Sequence, residues 1–115
     1  ITQAGSPYYA SKAFYCIEKS MQASGFKTLP LHNQILTMGE WGWIVGSKVL
    51  SQNEIKTKMI AFDYEKLKLK WLNNEAAQAI TLFGYPLVDT TNTSINTLFN
   101  PVLYTYYKSG NWKIY

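Results

Sequence analysis

The chain has 115 residues, 47% of them hydrophobic and 16% charged, with a net charge of +4 at pH 7. That length supports one domain around a modest core, and the longest apolar runs fall far short of the ~20 residues that span a bilayer. All eleven basic residues are lysines; without guanidinium forks to read phosphate and guanine bidentately, no nucleic-acid partner is expected.

No basic n-region leads into an apolar stretch, so no signal peptide is expected. The chain opens at Ile1 in mid-pattern, as an excised piece of a longer protein would. Cys16 stands alone inside a helical pattern, which excludes an internal disulfide, fits a reducing compartment and reads as a small buried hydrophobe. One Cys and one His do not make a metal site with the usual spacing, so no metal is expected. The densest basic stretch, "KTKMIAFDYEKLKLK", has acids among its lysines and reads as a solvated face.

"ITQAGSP" begins as a short strand and runs into turn residues, with Ser6 as a helix N-cap and Pro7 at the first helical position. Ala10, Ala13, Phe14, Ile17 and Met21 then follow the spacing of one buried helix face, and Gly25 closes that helix. "FKTLPLHNQI" is extended, and Pro30 makes it an edge strand or bends it there. In "GEWGWIVGSKVL", Trp41, Trp43 and Val45 alternate with Gly42, Ile44 and Gly46, as on the two faces of a strand. Residues 1–4, 26–32 and 40–49 are therefore expected in one sheet, with the helix near 7–24 on one face. "SQNEIKTK" reads as a polar connector. Ala76, Ala79, Ile80 and Phe83 mark a short helix capped by Asn73 or Asn74 and stopped at Gly84 and Pro86. After the polar run "DTTNTS", the stripe Ile95, Leu98, Phe99, Val102, Leu103 and Tyr106 predicts a last helix, kinked or restarted at Pro101 with Asn100 as a new cap.

The run "TQAGSPYYASKAFYCIEKSMQASGF", followed about ten residues later by "GEWGWIVGSK", resembles the C-terminal part of the polyamine aminopropyltransferases, the spermidine synthase family. The likeness is strongest to bacterial spermidine-synthase-like proteins that carry an N-terminal membrane region. "WLNNEAAQAITLF" and "INTLFNPVLYTYY" are similar to the tail of that branch, so the resemblance covers nearly the whole chain. It implies an α/β fold, the C-terminal portion of a Rossmann-like methyltransferase fold (strand, helix, antiparallel strand pair) plus a C-terminal helical segment. Residues 1–50 would end the catalytic domain and residues 51–115 would be a helical extension packed on it. The implied reaction moves an aminopropyl group from decarboxylated S-adenosylmethionine to a polyamine acceptor. Such chemistry needs an unprotonated amine in line with a sulfonium carbon and a carboxylate near a cationic substrate. The glycine-rich donor fingerprint and the Asp-rich catalytic loop of that family are absent from the chain, so no cofactor site and no catalytic residue are expected in it, and no turnover by it alone. The implied partners are the polyamine and the N-terminal part of the parent, with room for a homo-oligomer, in a cytoplasmic setting that an upstream region would anchor to a membrane.

By the same resemblance, four residues are assigned to the acceptor side of the pocket. Gln3 matches the family's glutamine at the end of the fifth strand. Glu40 stands where soluble members have a neutral Gln, and Trp41 beside it offers a cation–π face, as does Trp43. His32 is the only histidine and precedes that strand. Many soluble members have Ile-Pro-Thr-Tyr where this chain has Ile35, Leu36, Thr37 and Met38, which leaves Met38 without the hydroxyl that touches the substrate amine in those members. Tyr104, Tyr106 and Tyr107 read as packing residues. Two readings stay open on the sequence: the acceptor-side part of an enzyme, or a binding or assembly module that keeps the fold's edge without the chemistry. Glu40 itself has two readings, a cation-binding carboxylate or the partner of a surface lysine.

Overall fold

A computed structural model describes residues 1–85, 87 and 92–112. Three strands form one antiparallel sheet in the order β1-β3-β2, with β1 at Thr2–Gly5, β2 at Lys27–Ile35 and β3 at Gly39–Ser47. The segments expected to share a sheet do so. β2 is an edge strand, as Pro30 requires. Its outer side is covered point by point: the Gln52 amide donates to the Thr28 carbonyl at 2.9 Å, and the His32 N–H donates to the Ile80 carbonyl at 3.0 Å. Residues 28, 30 and 32 share that outer side, so the N–H that proline lacks is one the sheet ladder does not use.

Helix α1 (Ser11–Ala23) packs on one face of the sheet. Phe14, Tyr15, Ala4 and Ile44 form a buried cluster there, with Ile17 and Met21 against it. The small residues of β3 let the helix approach: a Cβ on Gly42 would lie 2.5 Å from the Phe14 ring, and one on Gly46 would lie 2.6 Å from the Met21 methyl. Cys16 is fully buried on the same helix, and burial pushes its thiol up from the ordinary value. α1 ends as expected, with Gly25 at φ +89° and the Gly25 and Phe26 N–H groups donating to the Gln22 and Met21 carbonyls in a Schellman arrangement.

Its start differs from the sequence reading. The Ser6 hydroxyl does act as a cap, accepting from the Tyr8 and Tyr9 N–H groups at 3.2 and 3.0 Å, but it caps a separate turn. Ala10 leaves helical geometry at φ −129°, ψ 44°, so the regular helix begins at Ser11 rather than Pro7.

On the opposite face Leu29, Leu31 and Ile55 are buried together, with Trp43, Val45, Leu50, Met59 and Ile80 packed against them. Ile55 belongs to α2 (Gln52–Ala61), a helix where the sequence reading placed a polar connector. Ser51 and Glu54 form a complete capping box at its start: the Ser51 hydroxyl accepts from the Glu54 N–H, and the Glu54 carboxylate accepts from the Ser51 N–H. Such a box satisfies two end donors and is worth about 1 kcal/mol. A single 3-10 turn follows at Tyr64–Leu67, then α3 at Asn74–Ala79, capped by Asn73, whose side-chain oxygen accepts from the Ala76 N–H at 2.8 Å. The stop expected at Pro86 and residues 89–91 of the polar run lie outside the described residues.

The last helix, α4 (Leu103–Lys108), is shorter than the apolar stripe predicts. Residues 97–100 close a tight turn through paired Thr97 and Asn100 backbone bonds, which leaves Leu98 and Phe99 almost wholly exposed. The helix starts only after Pro101, and its Leu103 N–H is taken by the Asn96 side chain at 3.0 Å, not by Asn100. α4 packs against α1. No helix among the described residues is long and apolar enough to cross a membrane.

Candidate functional site

The carboxyl end of β1, the start of β3 and the end of β2 lie at the same end of the sheet, because β3 runs antiparallel to both neighbours. The β2–β3 connection is Leu36–Met38, with the Met38 N–H donating to the Ile35 carbonyl at 3.1 Å. Gly39 then takes φ +73°, a left-handed conformation that suits glycine and aims the chain back into β3 at Glu40. This hairpin sets His32 opposite Gly42 and Gln34 opposite Glu40. In a regular antiparallel ladder these four residues share one face, the face that carries α1 further along.

His32 and Glu40 meet there. His32 Nδ1 bonds to Glu40 Oε1, and His32 Nε2 bonds to the backbone carbonyl of Leu82. The imidazole also stacks on Phe83, with ring centroids 4.2 Å apart and planes 30° from parallel. Both side chains are 19% exposed, mostly desolvated but open to a ligand. The protons follow from the partners. A backbone carbonyl can only accept, so Nε2 carries hydrogen. Between Nδ1 and Oε1 one further proton must lie, on the ring or on the carboxyl. With it on the ring, the pair is an imidazolium and a carboxylate, neutral overall. Among the described residues, His32 is thus a partner of Glu40.

Tyr8 borders this pair, and Tyr85 packs on Tyr8. The Tyr8 hydroxyl donates to the Tyr85 carbonyl at 3.4 Å, and the two rings meet edge to face at 5.8 Å. Burial pushes the Tyr8 hydroxyl up from the usual tyrosine value, and the Glu40 charge pushes the same way, so Tyr8 stays a proton donor at neutral pH.

The four residues assigned to the acceptor side divide between two faces. Alternation along β3 puts Trp41 and Trp43 opposite Glu40, and the Trp41 ring lies 6.2 Å from that of Trp112, which stacks in turn on Tyr107. Gln3 pairs with Trp43 and so shares the face of Trp43, not that of Glu40. It lines a cavity of about 550 Å³ at the β1 edge with Ile17, Met21 and Tyr107. A separate cavity of about 530 Å³ opens at the β2–β3 turn, lined by Asn33 to Thr37, Trp71 and Ala76. Leu36 is 88% exposed and Met38 46% exposed in that turn. Phe83, Tyr8 and the Leu82 carbonyl were not read from the sequence as site components. Phe83 was assigned only to a helix face, and a backbone carbonyl has no sequence signature.

No family profile and no solved structure matches the chain. Curated sequences do. A polyamine aminopropyltransferase 2 of Aquifex aeolicus (strain VF5) is 40% identical over 96% of the chain. A polyamine aminopropyltransferase of Leptospira interrogans is 34% identical over 91% of it.

The chain belongs to the polyamine aminopropyltransferase family.

It spans about a fifth of the length of these relatives, 21% of the Aquifex protein and 19% of the Leptospira one. More distant aminopropyltransferases keep the same extent; that of Streptomyces coelicolor, a polyamine aminopropyltransferase 1, is 26% identical over the whole chain and 20% of the relative. The His32–Glu40 pair therefore sits in a segment that aligns with these enzymes nearly from end to end.

Proposed function

We propose that this chain is the C-terminal, acceptor-side part of a spermidine-synthase-like aminopropyltransferase. Its sheet is then the closing edge of a Rossmann-like catalytic domain in residues 1–50, with residues 51–115 as a helical extension on it. The whole protein would transfer the aminopropyl group of decarboxylated S-adenosylmethionine to a polyamine. The amine nitrogen forms a bond to the carbon beside the sulfonium, the carbon–sulfur bond breaks, a neutral thioether leaves, and the amine's proton goes to a base. Nothing in this chain is proposed to hold the donor. Its contribution is to bind and orient the cationic acceptor, and Glu40 is the residue proposed for that task, with Gln3 and Trp41 on the opposite face of the sheet.

The observation that carries this reading is a carboxylate held at the carboxyl end of β1, in a chain 40% identical over 96% of its length to a polyamine aminopropyltransferase. Ligands of open α/β sheets bind outside the carboxyl ends of the parallel strands, and a carboxylate there suits an ammonium. The relatives all carry enzyme names, which weighs against a purely structural module.

The test is acceptor-dependent kinetics of the full-length protein at saturating donor, wild type against Glu40→Gln. Glutamine keeps a hydrogen-bond partner for His32 and removes the charge. Losing one charge-assisted contact costs about 1.5–3 kcal/mol, a rise in acceptor KM of about tenfold or more, with the donor KM unmoved. Unchanged acceptor dependence in a folded Glu40→Gln protein assigns Glu40 to structure instead.

A further inference from the structure

We infer that His32 is the positioning residue of this site: its ring holds the Glu40 carboxylate in one direction and ties residues 80–83 to the outer edge of β2. The inference rests on the acceptor-side reading above and goes beyond it, because no family motif marks His32 for this work.

Four separate contacts converge on this one residue. Its backbone N–H donates to the Ile80 carbonyl at 3.0 Å. Its Nε2–H reaches the Leu82 carbonyl, its Nδ1 reaches Glu40 Oε1, and its ring lies on Phe83 at 4.2 Å. A rotation of the ring breaks two hydrogen bonds and the stack together. The Leu82 carbonyl consequently fixes which nitrogen bears the permanent hydrogen, and Nδ1 is left to serve Glu40. A carboxylate on a flexible glutamate stem would otherwise sample several rotamers at this partly exposed position. Anchored to a ring that is itself anchored twice, it presents a defined direction to an incoming amine.

The pair also adjusts charge. A bare carboxylate favours an ammonium, which cannot attack a sulfonium carbon. A carboxylate already sharing a proton with an imidazole is a weaker trap for that charge. It can hold the acceptor by hydrogen bonding without insisting on the protonated amine. Tyr8, from the turn before α1, faces the pair, and burial together with the Glu40 charge keeps its hydroxyl a proton donor at pH 7.

The experiment compares His32→Phe, His32→Gln, Glu40→Gln and the double variant His32→Phe/Glu40→Gln in the full-length protein. Phenylalanine keeps the stack on Phe83 and loses both ring hydrogen bonds, while glutamine keeps a donor for Glu40 and loses the stack. The expected result is a rise of about tenfold in acceptor KM for His32→Phe, an unchanged donor KM, and partial recovery with His32→Gln. The double variant should be little worse than Glu40→Gln alone, since both changes undo the same arrangement. A folded His32→Phe protein with wild-type acceptor KM overturns the inference, as does a loss that multiplies fully with that of Glu40→Gln. If the wild-type protein transfers no aminopropyl group at all, the functional reading falls and this inference falls with it. An active wild type with an indifferent His32 removes the inference alone.

Discussion

Gly42→Ala is expected to lower the melting temperature of the chain by roughly 10–20 °C, following an overpacking cost of about 3 kcal/mol. The new methyl would sit 2.5 Å from Phe14 Cε2 and 2.8 Å from the Gly5 backbone oxygen. The ring can tilt, but the carbonyl belongs to the neighbouring strand and moves only with the sheet. Gly46→Ala is the control. Its nearest contact, at 2.6 Å, is the terminal methyl of Met21, which a change of rotamer removes, so a cost of about 1 kcal/mol or less is expected. Thermal melts of the two variants side by side decide the matter. Equal melting temperatures would mean that α1 does not close on β3 at Gly42 as described. The site depends on this approach, because Gly42 is the register partner of His32. A sheet displaced at Gly42 carries the His32–Glu40 pair away from Leu82 and Phe83.

Much of this arrangement was legible in the sequence, and what was not has a physical reason. The alternation of tryptophan and glycine from Trp41 to Gly46 identified both faces of β3, because a buried strand between two packed layers leaves a period-2 imprint on side-chain size. Pro30 placed β2 at an edge for the same kind of reason. α2 was missed although Ser51 and Glu54 stood at capping-box spacing. Ile55 is its one buried side chain, so apolar periodicity is nearly silent and the cap is the main local signal. Ile95, Leu98 and Phe99 gave the opposite error. They have helical spacing, yet a four-residue turn holds Leu98 and Phe99 out in solvent, and spacing alone does not report whether a face is covered.

The site was half legible. Glu40 and His32 were each singled out from the sequence, but their meeting depends on the length of the hairpin loop and the resulting register. One residue more or less in Leu36–Met38 would turn His32 to the face of Trp43. The same alternation separates Gln3 from Glu40, which a linear reading of the motif cannot foresee. The Leu82 carbonyl is 50 residues from His32 in the chain. Nothing local announces that contact, and the helix expected through Ile80 and Phe83 ends at Ala79, short of it.

Phe14→Ala should cost about 3–5 kcal/mol, the range for emptying a buried aromatic site. Phe14 is fully buried, meets Tyr15 edge to face at 5.9 Å, and shares its cluster with Ala4 and Ile44. Against a total stability of about 5–15 kcal/mol for a domain this is a large fraction, and a fall in melting temperature of roughly 15–25 °C is expected. Phe14→Leu keeps most of the volume and should cost about 1.5 kcal/mol. The informative measurement is the pairing of Phe14→Ala with Gly42→Ala. Removing the ring takes away the 2.5 Å and 3.1 Å contacts that a Cβ at position 42 would make, and leaves the 2.8 Å contact with the Gly5 oxygen. The alanine methyl also fills part of the space the ring vacates. The double variant should therefore be more stable than the sum of the single losses predicts, by about 1 kcal/mol or more, since residues in contact do not add. It should still melt below Phe14→Ala, because the clash with the strand carbonyl survives. Strict additivity would show that the ring and the glycine do not meet, and the account of how α1 seats beside His32 would have to be redrawn.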